Sequence, residues 1–206
     1  MSFLLLLLSC SRPAPSLTLQ LLRMAGRPDT SHLVKDSFQL DHIGVITLTE
    51  NDSLSYVFIR DRKWQLLDSV EDLLSFRLED ANGDKVPDVM ASGHPDMHGM
   101  RSSYIYLHHA DSFVRVKMPG RVCEAVYDSP THLMRSYYES GAYGIHSKAE
   151  YHWRQDSLLL YRKVEMDMSS YEQITTSWYH QEGDSLVKDR VFKGHEPFDT
   201  AFWQMN

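Results

Sequence analysis

Glu79-Asp80-Ala81-Asn82-Gly83-Asp84-Lys85-Val86-Pro87-Asp88-Val89-Met90 places oxygen-bearing side chains at Asp80, Asn82, Asp84 and Asp88, positions 1, 3, 5 and 9 of a short loop. Calcium takes about six to eight oxygens, and a tight loop supplies them from alternate side chains and one backbone carbonyl. The carbonyl of Val86, at position 7, is the expected backbone ligand. Gly83 lets the chain turn among the polar side chains. The flanks decide the fold. Leu73-Leu74-Ser75-Phe76-Arg77-Leu78 before the loop and Val86 to Met90 after it read as strands. The loop therefore joins two arms of a hairpin. The competing reading of the same residues is a solvated Asp/Asn/Gly turn that binds nothing.

The spacing is not that of a calcium loop between helices. Lys85 stands where such a loop needs glycine, and Ala91 where it needs a bidentate glutamate. Immediately downstream, Gly93-His94-Pro95-Asp96-Met97-His98-Gly99 alternates His94, Asp96 and His98. On an extended strand these would share a face and suit a transition metal. Pro95 and the two glycines instead predict a polar binding loop beside the hairpin.

Further along, Arg135-Ser136-Tyr137-Tyr138-Glu139-Ser140-Gly141-Ala142-Tyr143-Gly144-Ile145-His146 mixes tyrosines, glycines and a carboxylate. Tyrosine gives contact area at low entropy cost, and glycine lets a partner approach the backbone. Tyr138, Glu139 and Tyr143, with His94, Asp96 and His98, are the candidate partner-binding residues. The alternative is that the tyrosines belong to a strand and pack in the core.

Outward on both sides the chain reads as strands. Asn51-Asp52-Ser53 separates Val45–Thr49 from Leu54–Ile59. Asp111-Ser112, Asp156-Ser157 and Asp184-Ser185 likewise precede apolar runs and follow β-branched or aromatic ones. Repeated hairpins of one style predict an all-β fold: a small β-propeller-like domain, with a β-sandwich as the alternative.

The amino terminus reads differently. Met1 to Cys10 is an apolar run ending Leu7-Leu8-Ser9-Cys10, too short to span a bilayer, which needs about 20 residues. It predicts a signal peptide over residues 1–10 with a lipobox-like end and Cys10 as the lipidated residue. Residues 11–35, with Pro13, Pro15, Gly26 and Pro28, predict a tether. Residues 36–206 are then a single β-domain. Membrane attachment would be by the lipid anchor only.

A net charge of −7 and the lack of a basic stripe argue against a nucleic-acid partner. The remaining cysteine, Cys123, lies in a strand pattern and reads as a small buried hydrophobe. No Gly-x-Ser-x-Gly elbow, His-Glu-x-x-His, phosphate loop or dinucleotide fingerprint occurs. An envelope hydrolase using the His94–His98 loop or Glu139, with Asp96 as a second carboxylate, is the enzymatic alternative.

The Asp80–Asp88 loop resembles the Asp-x-Asn-Gly-Asp-x-x-x-Asp loop of FG-GAP and VCBS-type repeats, with Lys85 where those repeats often have glycine. Together with the anchor, the hairpins and the Gly-rich aromatic segment, roughly residues 70 to 165 resemble a family of bacterial envelope lipoproteins. That resemblance implies a β-propeller with a structural calcium ion. It also implies a location in the periplasm or on the cell surface. Some members of that family are immunity proteins that inhibit peptidoglycan-hydrolase effectors. The expected function is thus non-catalytic binding of an envelope protein, including inhibition of a peptidoglycan hydrolase. A glycan-binding module is the alternative.

Overall fold

The computed structural model describes residues 34–40, 43–50, 53–60, 66–70, 73–74, 76 and 112 as strand backbone, and 75, 77–110, 113–170, 173–183, 185–194 and 198 more fully. Cys10, the lipobox-like segment and residues 11–33 lie outside the described residues. Among the described residues, no helix is long and apolar enough to cross a membrane. The chain divides into two compact units, Met1–Ser69 and Val70–Asn206, and each is described by itself.

In the first unit, β1 (Val34–Leu40), β2 (Ile43–Glu50), β3 (Ser53–Arg60) and β4 (Leu66–Val70) form an antiparallel sheet in chain order. β2 and β3 pair without a break from Ile43↔Arg60 to Glu50↔Ser53.

The second unit holds two antiparallel sheets. β5 (Leu73–Glu79), β6 (Asp88–Pro95), β7 (Arg101–His109) and β8 (Ser112–Arg115) form the first. β9 (Val126–Asp128), β10 (Leu133–Tyr138), β11 (Ile145–Arg154), β12 (Ser157–Asp167), β13 (Thr175–Glu182) and β14 (Ser185–Lys193) form the second. Met90, Ile105 and Leu107 of the four-stranded sheet share one buried cluster with Met134, Ala149, Tyr151 and Leu158 of the six-stranded sheet. Val116, Val122 and Ala125 of the β8–β9 connection join it. Each such large side chain, fully buried, contributes about 1.5–3 kcal/mol. Of the two expected arrangements, the sandwich describes this unit. Six consecutive strands run as one meander, and the two sheets close on a common core.

All four Asp-Ser signals fall at hairpins, β2–β3, β7–β8, β11–β12 and β13–β14, and each Ser opens the returning strand. The turn has a second ingredient. In three of them the residue before the Asp has positive φ: Ala110 at 48°, Gln155 at 51° and Gly183 at 59°. A two-residue connection needs that left-handed step to match strand twist.

The outer face of the six-stranded sheet buries charge. Glu150 is fully buried, bonded to Arg135 at 3.1 Å and paired with Arg162. Lys148 donates from Nζ to the Phe198 carbonyl at 2.9 Å, and its ammonium lies 4.7 Å from the Phe198 ring centroid. Phe198 in turn packs with Val164 and Met166, so a residue beyond β14 covers part of this face.

Candidate functional site

The Asp80–Asp88 loop connects β5 to β6, as the hairpin reading expected. Its carboxylates first organise its own backbone. Asp80 accepts from Gly83 N at 2.6 Å through Oδ1 and from Lys85 N at 3.0 Å through Oδ2. Asp84 accepts from Val86 N at 2.7 Å, and Asn82 Oδ1 accepts from Asp84 N at 3.0 Å. These are nested Asx turns. Lys85 has φ of 69°, the left-handed backbone for which the resembling repeats often use glycine. The departure in sequence therefore leaves the turn intact.

Asp88 is built differently. It is 0% exposed, and its two oxygens accept from Ala81 N and His108 N, both at 2.9 Å. It thereby ties the loop to β7. Burial raises its carboxyl above the ordinary range, the two amides oppose this, and the nearby Asp84 and Asp80 charges raise it further.

The donor set is oxygen throughout, which suits a hard cation such as calcium. Among the described residues, no three His, Cys, Asp or Glu side chains gather closely enough to form a ready metal cluster.

The loop tip rests on the β9–β10 hairpin. At Gly83, with φ of 85°, an added Cβ would lie 2.1 Å from Tyr127 Oη. That phenol is bonded to His132 Nδ1 at 2.8 Å. Its pKa is raised by burial first, then by Asp80 and Asp128.

The two segments expected to contact a partner come together. An added Cβ at Gly141 would lie 3.3 Å from the His98 ring, and His146 Nε2 meets the Gly141 carbonyl at 2.9 Å. β6 runs on to Pro95, so His94 is a strand residue, and the turn begins at Asp96. Asp96 Oδ1 accepts from His98 N at 2.9 Å and Met100 N at 3.1 Å, and Oδ2 pairs with Arg121 Nη2 at 2.9 Å. Although burial raises the Asp96 carboxyl, those two amides and Arg121 together hold it below its ordinary value. Its oxygens are thus committed to loop and guanidinium.

Arg121 also donates from Nε to Ser102 Oγ at 2.8 Å and from Nη2 to the Met100 carbonyl at 3.2 Å. Its guanidinium lies 5.6 Å from the Tyr138 ring centroid. It therefore connects the Asp96 turn to β10. Sequence reasoning missed this residue. Its one signal is a cation directly after the Pro119-Gly120 bend, where the chain changes direction between strands.

His94, His98, Glu139 and Tyr143 are exposed, while Asp96 and Tyr138 are half-buried. Glu139 accepts from the Tyr137 hydroxyl at 3.0 Å. Three apolar side chains stand out on these segments: Met97 at 91% exposed, Tyr143 at 59% and Ile145 at 46%. Cys123 is buried as expected. Burial pushes its thiol up while Arg121 beside it pulls the other way, which disfavours the nucleophilic thiolate.

No family model matches the chain, and no curated protein matches it. Among solved structures, it is similar to a Xanthomonas type IV secretion system related protein, at 12% sequence identity and a TM-score of 0.46. That similarity covers 75% of this chain and 92% of the other.

Proposed function

We propose that this is a non-catalytic lipoprotein of the bacterial cell envelope that binds a protein partner through the joined Asp96–Gly99 and Tyr138–Ile145 segments. The observation that carries the reading is the packing of His98 against Gly141, with Arg121 holding both Asp96 and Tyr138. Two loops distant in sequence thereby form one preorganised surface, and preorganisation lowers the entropy lost on binding. Exposed Met97, Tyr143 and Ile145 on that surface are of the kind that anchor interfaces.

The envelope location, the anchor at Cys10 and a peptidoglycan hydrolase as partner rest on the sequence resemblance. The net charge of −7 would attract a cationic hydrolase. Asp80, Asn82, Asp84, Asp88 and the Val86 carbonyl would hold the calcium ion. Bound there, calcium neutralises the crowded carboxylates and stiffens the β5–β6 connection.

The test is inhibition of a panel of peptidoglycan hydrolases on a cell-wall suspension, with binding measured in parallel. We expect inhibition that weakens by about tenfold or more in Tyr143→Ala and in Met97→Ala. If no hydrolase is slowed or bound, hydrolase inhibition is wrong. Binding to glycan alone would favour the glycan-module alternative.

A further inference from the structure

The β8–β9 connection from Met118 to Val122 separates two half-open hollows of about 490 Å³ and 480 Å³ that share Gly120 and Arg121. Each falls within the range of small-ligand sites. The first lies against the inner face of the six-stranded sheet, where Ser136, Ser147 and Ala149 leave room between larger neighbours. The second lies beside β7 and the end of β8.

Their charge is unlike that of the whole protein. Arg121 and Lys163 line the first hollow, and Arg115, Lys117 and Arg121 the second. Among the described residues lining them there is no aspartate or glutamate, in a chain of net charge −7. Asp96 pairs with Arg121 at 2.9 Å and Glu165 with Lys163 at 2.5 Å, yet neither acid lines a hollow. Those acids orient Arg121 and Lys163 and partly offset their charge from outside the hollows, and Arg115 and Lys117 add positive charge to the second.

The remaining chemistry narrows the ligand. Each hollow has a tyrosine beneath an arginine: Arg115 lies 5.4 Å from the Tyr104 centroid and Arg121 5.6 Å from that of Tyr138. Hydroxyls of Ser102, Ser136 and Ser147 border the same surfaces. Cations call for an anion, hydroxyls suit a hydroxylated skeleton, and tyrosines offer flat faces to rings. Two open hollows on either side of Gly120 suit a short chain laid across it better than one enclosed molecule.

We propose that the two hollows together bind an acidic saccharide chain laid across Gly120, its carboxylates meeting Arg115, Arg121 and Lys163 and its rings lying along Tyr104, Gly120 and Tyr138. This site adjoins the exposed loop surface proposed above and shares Arg121 and Tyr138 with it, but Lys163 and Arg115 belong to the hollows alone, and their variants leave Met97 and Tyr143 untouched. Calorimetry of the full chain with tetragalacturonate, maltotetraose and tripolyphosphate tests it. Tetragalacturonate should bind, and more tightly as ionic strength falls. Maltotetraose should bind at least about tenfold more weakly, as expected when charge-assisted bonds are lost. Lys163→Gln and Arg115→Gln should each weaken tetragalacturonate by about tenfold. Arg121→Gln should weaken it further, with circular dichroism confirming that the variant folds. Absence of tetragalacturonate binding, equal binding of maltotetraose, or equally tight binding of tripolyphosphate overturns the proposal.

Discussion

Replacing Asp88 by asparagine should destabilise the second unit, even though the two side chains have nearly the same shape. Asp88 is fully buried and receives two backbone amides, one from the loop at Ala81 and one from β7 at His108. Asparagine has one acceptor oxygen, and its other end is itself a donor. One buried N–H then faces another N–H, and a buried unsatisfied donor costs about 1–3 kcal/mol. For a chain of this size that lowers the melting midpoint by roughly 3–10 °C. Alanine removes both acceptors and should cost roughly twice as much.

The cost depends on pH. Burial, opposed by the amides and assisted by Asp84 and Asp80, raises the Asp88 carboxyl in the fold. A raised folded pKa means the stabilising contribution is fully present below the unfolded value and is lost as pH rises through the folded one. The gap between native protein and Asp88→Asn should therefore be widest in acid and narrow toward neutrality. Urea unfolding followed by circular dichroism across that range measures it. Calcium adds a separate readout: it should raise the native midpoint more than that of Asp88→Asn. Equal urea midpoints for native and variant, at acid and neutral pH alike, would refute the two-amide argument.

Gly83→Ala should lose about 1–3 kcal/mol from its left-handed backbone and more from the clash with Tyr127 Oη, at 2.1 Å from the added carbon. Tyr127→Phe in the same chain should relieve the Oη clash but neither the tight 3.0 Å approach to the ring carbon Cζ nor the backbone strain, so a double-mutant cycle in urea must show coupling. Asp96, held low by its two amides and Arg121 despite burial, stabilises the fold above the ordinary carboxylate range and loses that contribution as pH falls through its folded value. Melting curves of Asp96→Asn should accordingly be flatter than native below about pH 4, and parallel curves would count against the network. Glu150→Gln removes the buried carboxylate between Arg135 and Arg162, while Arg135 keeps Asp128 at 3.0 Å and Arg162 is 43% exposed, so it should cost about 1–2 kcal/mol, read as a lower urea midpoint.

The all-β class was legible because its signals are local. Asp-Ser after an aromatic or β-branched run marks a turn whatever the strands later pack against, and all four such signals fall at hairpins. Whether those hairpins stand as blades or merge into one sheet depends on pairing between consecutive hairpins. That pairing is carried by contacts between β12 and β13 such as Lys163↔Tyr179 and Val164↔Trp178, which periodicity within one strand cannot show. The left-handed residue before the Asp in three of these turns also escaped notice. Ala110 and Gln155 carry no turn signature, and their conformation is imposed by the two-residue connection.

The site was legible in its pieces and not in its joints. The spacing of Asp80, Asn82, Asp84 and Asp88 showed oxygen donors, but not that each carboxylate already holds backbone amides or that Asp88 bonds across to β7. Asp96 read as a partner-binding residue of a polar loop, whereas the fold sets its carboxylate against Arg121. Arg121 is the joint between the two proposed surfaces, because its bonds to Asp96 and Met100 fix the loop while its side chain lines both hollows. A loss of binding in Arg121→Gln would therefore not say which surface had failed. Tyr143 lies only on the loop surface and Lys163 only on a hollow, so opposite outcomes in those two variants separate partner binding from saccharide binding.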